Sequence, residues 1–366
     1  MSQRYLNPFT PIFGKVPPYF AGRDRLISDF STAFAEEESN PLLFSLISGP
    51  RGTGKTALLY YLTDMAREHG WIGVKASAIS GMLTDILQRA LAAAEHLIDA
   101  ESPRFTSLGI SSLFSVSWEN PKPDMPNWRS RMTFLLDQLA EHDAGLVIAV
   151  DEAKATAEMI ELVSVFQHFI GEGRKVALLM AGLPHDVSQL LSHEDISFLR
   201  RASFIKLENA SVAEASVALR RTIEDHRRTI DPDALDYAAA ASFGYPYLIQ
   251  LIGFRMWACD PFEKNITLRD AHDGVLLARD EYTHSVLVAT YNGLSAKDVS
   301  FLEAMLPDEG PSSMKDIAER MGVAANYASK YRSRLTEQGI IGARGRSAVG
   351  VDLPFFKEFV KIQMEG

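Results

Sequence analysis

Over the first two hundred residues, short continuous apolar runs alternate with longer segments whose apolar positions recur every three to four residues. Residues 42–48, 71–75, 145–150, 175–181 and 204–207 read as strands. The run 145–150 and the run 42–48, apolar apart from Ser45 and Ser48, suit strands buried on both faces. Between them, Leu26, Ile27, Phe30, Ala33 and Phe34, and then residues 56–68, 82–98 and 156–170, keep the spacing of helices with one apolar face. Strand and helix in regular alternation predict an α/β core, a parallel sheet with helices on both faces.

The flanking segments follow other patterns. Residues 7–20 are rich in proline and aromatics and read as an extended arm, because proline fixes φ and removes a donor. Residues 100–128 break the alternation. Within them 107–119 alternates enough for a hairpin and 120–126 is a proline-rich loop, so the stretch reads as an insertion, either a surface loop or a contact element. Residues 211–290 have helical spacing throughout. Ser211 and Glu214 stand at capping-box distance, Pro232 fits a first helical turn with Asp231 as its cap, and 267–290 reads as one long connecting helix. From Leu294 onward three helices (to Met305, 313–322 and 324–338) precede a glycine-tipped hairpin at 340–351. The chain thus divides into a core, 1–210, with the arm and first helix in 1–40; a helical lid and connector, 211–293; and a C-terminal unit, 294–366.

Composition narrows the classes. The 366 residues are 46% apolar and 23% charged, which excludes an intrinsically disordered chain. No stretch approaches the ~18 apolar residues that a membrane-spanning helix needs. The N-terminal residues lack the apolar centre of a signal peptide, and the single cysteine, Cys259, excludes an internal disulfide or a multi-cysteine metal site. A cytoplasmic protein without membrane contact is expected. The net charge of −10 argues against a uniformly basic nucleic-acid coat. From Leu294 to the end, however, ten basic residues balance ten acidic ones, so the whole deficit lies upstream. The C-terminal unit is therefore expected to meet a different partner.

The candidate chemistry lies in Gly49-Pro50-Arg51-Gly52-Thr53-Gly54-Lys55-Thr56, directly after the first strand and, with Ala57, opening a helix. This is the phosphate-loop pattern. Its glycines let backbone N–H groups curl round phosphate oxygens, Lys55 reaches the β- and γ-phosphates, and the Thr56 hydroxyl can ligate Mg²⁺. The following helix adds free N–H donors and a favourable dipole. The run 146–152 ends in Asp151 and Glu152, which a buried strand delivers to the carboxyl edge of the sheet. There Asp151 can hold the metal and Glu152 can polarise a water for attack on the γ-phosphate.

Together these residues resemble the AAA+ P-loop ATPases, of the replication-origin-initiator type and the related STAND signalling type. The resemblance implies ATP and Mg²⁺ as cofactors, ATP and ADP as ligands, and ATP hydrolysis, which departures at residues 180–184 and Tyr247 are expected to make slow. It places Phe20 and Arg23, in the segment 17–23, where such proteins touch adenine, or where a plain tether to the sheet would lie. Arg201, with Arg200 as second choice, falls where an arginine reaches a neighbouring copy's nucleotide in oligomeric members. Pro246, in Gly244-Tyr245-Pro246, matches the STAND lid element whose proline packs near the base, or a simple helix start. Two departures stand out. Residues 180–184 carry no polar sensor at the end of the fourth strand, and Tyr247 stands where initiators often have a lid arginine.

The C-terminal pattern resembles a winged helix-turn-helix. On that likeness the third helix offers Asn326, Lys330, Arg332 and Arg334 to a major groove, and the hairpin adds Arg344 and Arg346. Two readings remain at this point. One is a nucleotide-dependent switch that binds double-stranded DNA. The other is a STAND-like signalling or scaffold ATPase whose C-terminal unit meets a protein partner. A homo-oligomer is compatible with either.

Overall fold

The structure is a computed structural model that describes residues 4–36, 40–97 and 127–365. The expected insertion falls almost wholly outside the described residues, as does its hairpin.

Five parallel strands form the central sheet: β1 (Phe44–Ser48), β2 (Trp71–Ser77), β3 (Gly145–Asp151), β4 (Val176–Gly182) and β5 (Ser203–Lys206). Their order across the sheet is β2-β3-β4-β1-β5. Ser48 pairs with Gly182 and Lys206, and Ser77 with Asp151, so the strands end together along one edge. β3 and β4 are buried along their whole length, as their unbroken apolar runs require. One face of the sheet is covered by α1 (Asp24–Glu36) and α2 (Lys55–Glu68), where Phe30, Phe34, Leu58 and Leu62 pack on Val147 and Leu179. The other is covered by α3 (Met82–Ala93), α4 (Trp128–Glu141) and α5 (Ala157–Gly171), where Ile86, Leu135 and Phe166 pack on Ile148 and Leu178. A short helix, α6 (Pro184–Ser192), follows β4.

β1 begins two residues later than expected. The Asn40 side chain accepts from the Leu42 N–H, and Pro41 opens a 3₁₀ turn that takes up Leu42 and Leu43. Residues 211–290 depart from an all-helical run. α7 (Val212–Asp225) starts with the expected capping box between Ser211 and Glu214. Thr229–Ile230 and Asn265–Ile266 then pair as β6 and β7, a two-residue parallel ladder. Asp231 stands at the cap position of α8 (Pro232–Ala241) but does not cap it; its carboxylate accepts instead from Asn265 Nδ2 at 2.9 Å. After α9 (Pro246–Cys259), the expected connecting helix is α10 (Leu268–Tyr282), a π turn (Thr283–Leu287) and α11 (Val288–Asn292).

The C-terminal unit contains α12 (Ala296–Met305), α13 (Met314–Arg320), α14 (Ala325–Glu337) and α15 (Phe356–Glu365). Its hairpin, β9 (Ile341–Ala343) and β10 (Ala348–Val351), gains a third antiparallel strand, β8 (Ser312–Ser313), on the β10 side. One continuous apolar cluster joins this unit to the helical region, from Leu219 and Leu251 through Tyr282 and Phe301 to Phe356.

The arm belongs to that same cluster. Phe9 is buried against Trp257 with ring centroids 6.3 Å apart, Tyr5 N–H donates to the Pro261 carbonyl, and Thr10 N–H donates to Gln250. Farther along, Gly14 reaches the start of α2, where an added Cβ would lie 3.7 Å from Thr56 Cγ2. The arm therefore straps the helical region to the phosphate loop. Phe9→Ala should destabilise the fold by about 3 kcal/mol, the cost of emptying a buried aromatic site. Urea unfolding measures it, and a loss under about 1 kcal/mol would show that the strap is dispensable.

Candidate functional site

The phosphate loop leaves β1 at Ser48 and enters α2 at Lys55. Gly52 and Gly54 are left-handed, with φ of 75° and 85°. Gly54 takes the N-cap position with no side chain over the helix end, so the first N–H groups of α2 face outward. Thr53 ties the loop together by donating to the Pro50 carbonyl at 2.8 Å. Lys55 folds back on the loop, and its Nζ donates to the carbonyls of Gly49 and Pro50, each at 2.8 Å. Withdrawal from water lowers the Lys55 ammonium from its ordinary value to about 8; Asp151 opposes that shift and Arg51 reinforces it.

β3 brings the carboxylates to the same place. Asp151 is buried, and its Oδ2 accepts from Thr56 Oγ1 at 2.5 Å while its Oδ1 accepts from the Glu152 N–H at 2.9 Å. Two hard oxygen donors, one of them anionic, meet beside a loop whose N–H groups can take phosphate. That donor set fits Mg²⁺ carried by a nucleotide. Among the described residues no group of three or more His, Cys, Asp or Glu side chains gathers, so a metal here would draw its remaining ligands from phosphate and water. Glu152 has a positive φ of 52°, uncommon for a residue with a side chain, and its carboxylate is exposed, with Lys154 Nζ 3.9 Å away.

The remaining candidates are spread more widely. Phe20 packs edge-on to Tyr61 at 5.3 Å and lines a cleft of about 230 Å³ between the arm and α7. Arg23 donates to the Glu208 carbonyl and lies beside Glu214; burial lowers its pKa. Of the two arginines that end the 3₁₀ segment Glu194–Arg201, Arg200 donates to the Leu191 carbonyl at 3.0 Å, whereas Arg201 is exposed and has no ion pair among the described residues. Pro246 opens α9, but the residue that reaches the loop is its neighbour, Tyr245. This buried side chain donates from its hydroxyl to the Arg51 carbonyl at 2.9 Å. Gly52 must lack a side chain for that approach, since a Cβ there would stand 1.9 Å from the Tyr245 oxygen. Tyr247 is half-buried, 6.1 Å from the Tyr282 ring.

In the C-terminal unit, Asn326 and Lys330 are exposed on α14, Arg332 is half-buried, and Arg346 is exposed in the β9–β10 turn. Arg334 pairs at 3.3 Å with Asp298, a fully buried carboxylate at the start of α12, and Arg344 pairs at 2.6 Å with Asp352. The end of α14 rests on the phosphate loop itself: a Cβ on Gly339 would lie 3.1 Å from Pro50 Cβ, and Glu337 pairs with His185 of α6 at 3.3 Å. The loop is thus touched by the arm, the helical region and the C-terminal unit.

The family described as the AAA ATPase domain matches residues 19–176, and a family described as a domain of unknown function matches residues 284–360. A Walker-type ATPase of Pyrococcus abyssi has a similar fold, with a TM-score of 0.65 at 14% identity over 96% of this chain and 100% of that one. Cdc6p of Pyrobaculum aerophilum aligns with a TM-score of 0.49 at 15% identity over 97% and 96% of the two chains. RuvB of Thermotoga maritima aligns with 0.46 at 17% over 96% and 99%. The search of curated proteins finds no match.

The lowered Lys55 pKa makes phosphate binding pH-dependent. Below about pH 8 the ammonium is present and attracts anions; above it, binding must first take up a proton. Affinity for a nucleoside triphosphate should therefore fall about tenfold between pH 7 and pH 9. Calorimetric titration at the two values tests this, and a flat profile would show Lys55 fully charged throughout.

Proposed function

We propose that this chain, an AAA+ P-loop ATPase by the match over residues 19–176, works as an ATP-dependent conformational switch of the origin-initiator type, with a winged helix as its DNA-binding output. The observation that carries the reading is the meeting of Lys55, Thr56 and Asp151 at one point on the sheet edge. Lys55 exchanges the carbonyls of Gly49 and Pro50 for β- and γ-phosphate oxygens. Gly52, Thr53, Gly54, Lys55, Thr56 and Ala57 offer their backbone N–H groups to the same oxygens. Thr56 and Asp151 would hold a Mg²⁺ carried by the nucleotide, which would supply neutralisation of phosphate charge. Glu152 accepts the proton of the water that attacks the γ-phosphorus as the β–γ bridging P–O bond breaks and ADP leaves. Phe20, Arg23 and Pro246 border the base.

Hydrolysis is slow on this reading. Residues 180–183, through the end of β4, carry no polar side chain, and Tyr247 replaces a lid cation, so two groups that would read the γ-phosphate are missing. Arg201 is free to reach the nucleotide of a second copy. The division at 210 and 293 into core, lid and output unit follows the same scheme. ATP and its product then favour different arrangements of the three.

For the output, the three helices and three-stranded sheet of residues 296–351 support a winged helix. Its α14 presents Asn326, Lys330 and Arg332, its wing presents Arg346, and Arg334 and Arg344 stand beside them, steadied by Asp298 and Asp352. A second reading, a signalling ATPase that takes a protein partner through this unit, draws on those two internal ion pairs, which engage two of the six candidate contacts.

Three experiments test the proposal. Lys55→Ala should lose ATP affinity by about a hundredfold, the upper range for a charged hydrogen-bonding group. Glu152→Gln should keep binding and lose turnover by about a hundredfold or more; normal phosphate release would remove Glu152 from the base role. For DNA, about four phosphate contacts predict an affinity loss of roughly a hundredfold between 50 and 200 mM salt, and Arg332→Ala with Arg346→Ala should cut the salt slope by about two. Fluorescence anisotropy on duplex DNA measures both. No binding, together with a nuclease-resistant protein pull-down, would favour the second reading.

A further inference from the structure

The link between Tyr245 and the phosphate loop lies within a strained joint. Residues 242–245 form a tight turn closed by Tyr245 N–H donating to the Ser242 carbonyl at 2.9 Å. Its two central residues, Phe243 and Gly244, both have positive φ, 52° and 64°. A phenylalanine in that region is costly and persists only where its surroundings demand it. The turn is pinned at its other side, where Ala210 N–H donates to the Gly244 carbonyl at 2.8 Å, at the passage from core to helical region.

A second phenylalanine is strained in the same way. Phe355, just before α15, has a φ of 61°, and its ring meets Phe243 edge-on at 5.1 Å. Tyr282 completes the group, fully buried, 6.0 Å from Tyr245 and 6.5 Å from Phe355. Arg279 lies over the Phe355 ring at 4.6 Å. Tyr282 is also the last residue before the π turn that leads to the C-terminal unit, and such turns are frequent at functional sites. Burial pushes the Tyr245 phenol up to about 12 and Tyr282 higher still, so both stay protonated and Tyr245 remains a donor.

We infer that Tyr245 is a positioning residue through which occupancy of the phosphate loop sets the arrangement of the C-terminal unit, by way of Tyr282 and Phe355. The coupling follows from peptide planarity. The Arg51 carbonyl that Tyr245 holds and the Gly52 N–H belong to one rigid plane and point in opposite directions. Turning that N–H toward a phosphate oxygen turns the carbonyl with it. The release of Lys55 from the carbonyls of Gly49 and Pro50 frees the neighbouring peptides to follow. The Tyr245 hydroxyl must then move or let go, and its ring displaces Tyr282 against Phe355. The inference rests on the reading of the loop as an ATP site.

The test is hydrogen exchange of the full chain with and without Mg·ATP, beside a calorimetric titration of the same samples. In the wild type, ATP should change exchange over residues 335–351 by about fivefold or more, the low end of allosteric coupling factors. Tyr245→Phe keeps the ring and removes one hydrogen bond. It should weaken ATP binding by no more than about tenfold, while the change over 335–351 falls below about twofold. Phe355→Leu leaves the hydroxyl in place and should lose the same response from the far end of the relay; it decides the matter if Tyr245→Phe does not fold. Tyr237→Phe, whose ring stacks on His272 and not on Tyr245, Tyr282 or Phe355, should respond as the wild type. A full response in Tyr245→Phe would overturn the inference and assign the coupling to the direct Gly339–Pro50 contact. A wild type that binds ATP with no change over 335–351 would overturn it as well. A wild type that shows no heat with ATP would instead overturn the reading of the site, and this inference with it.

Discussion

An ammonium group that has lost much of its water and found only backbone carbonyls in exchange is the constraint on which the structure turns. Lys55 sits at a bend where its hydrogen-bond acceptors are the neutral oxygens of Gly49 and Pro50. Desolvation of that kind is costly, and the depressed pKa is its signature. On the proposed reading, this is what prepares the loop for an anion. Asp151 keeps the balance from tipping further, and it can do so only because β3 is buried along its whole length and ends level with its neighbour β2. Without the parallel sheet, the carboxylate and the lysine would have no reason to share one edge.

The core was legible in the sequence because its requirements are local. Short, largely apolar runs mark the sheet strands, and the glycines, lysine and threonine of residues 49–56 name their own chemistry. What stayed hidden depends on distance along the chain. Tyr245 stands 194 residues from the carbonyl it holds, and nothing in its immediate neighbours points to a phosphate loop; the adjacent Pro246 carried the resemblance, and the tyrosine makes the contact. Arg334 and Arg344 stand in the sequence as candidate DNA contacts, yet each has a carboxylate that only folding brings near. Strands of two residues, such as Thr229–Ile230 and Ser312–Ser313, are too short to show any period. Asp231 took its cap position but gave its oxygen to Asn265, a choice set by the β6–β7 ladder.

The apolar interior is divided unevenly. Each face of the sheet has its own cluster, while a third runs without a break from the arm through the helical region into the C-terminal unit. Packing makes those last two a single mechanical body more than the boundary at residue 293 suggests. The junction between that body and the sheet includes a tyrosine hydroxyl, a glycine against a proline, a histidine–glutamate pair, the Ala210–Gly244 hydrogen bond, and the polar pairs Tyr19–Asp225 and Asp24–Arg221. Polar contacts of this kind rearrange at low cost, whereas a continuous apolar core resists it.

The strap formed by residues 4–14 gives this junction its geometry. The helical body is attached to the sheet once through residues 207–211 and a second time through the arm, which begins on α9 and arrives beside Thr56. A rigid object fastened at one point can tumble about it in any direction; fastened at two, it keeps a single axis, the line between the fastenings. The two chain passages, at 207–211 and along the arm, define such a line here, and the phosphate loop lies beside the end of it where Gly14 meets Thr56.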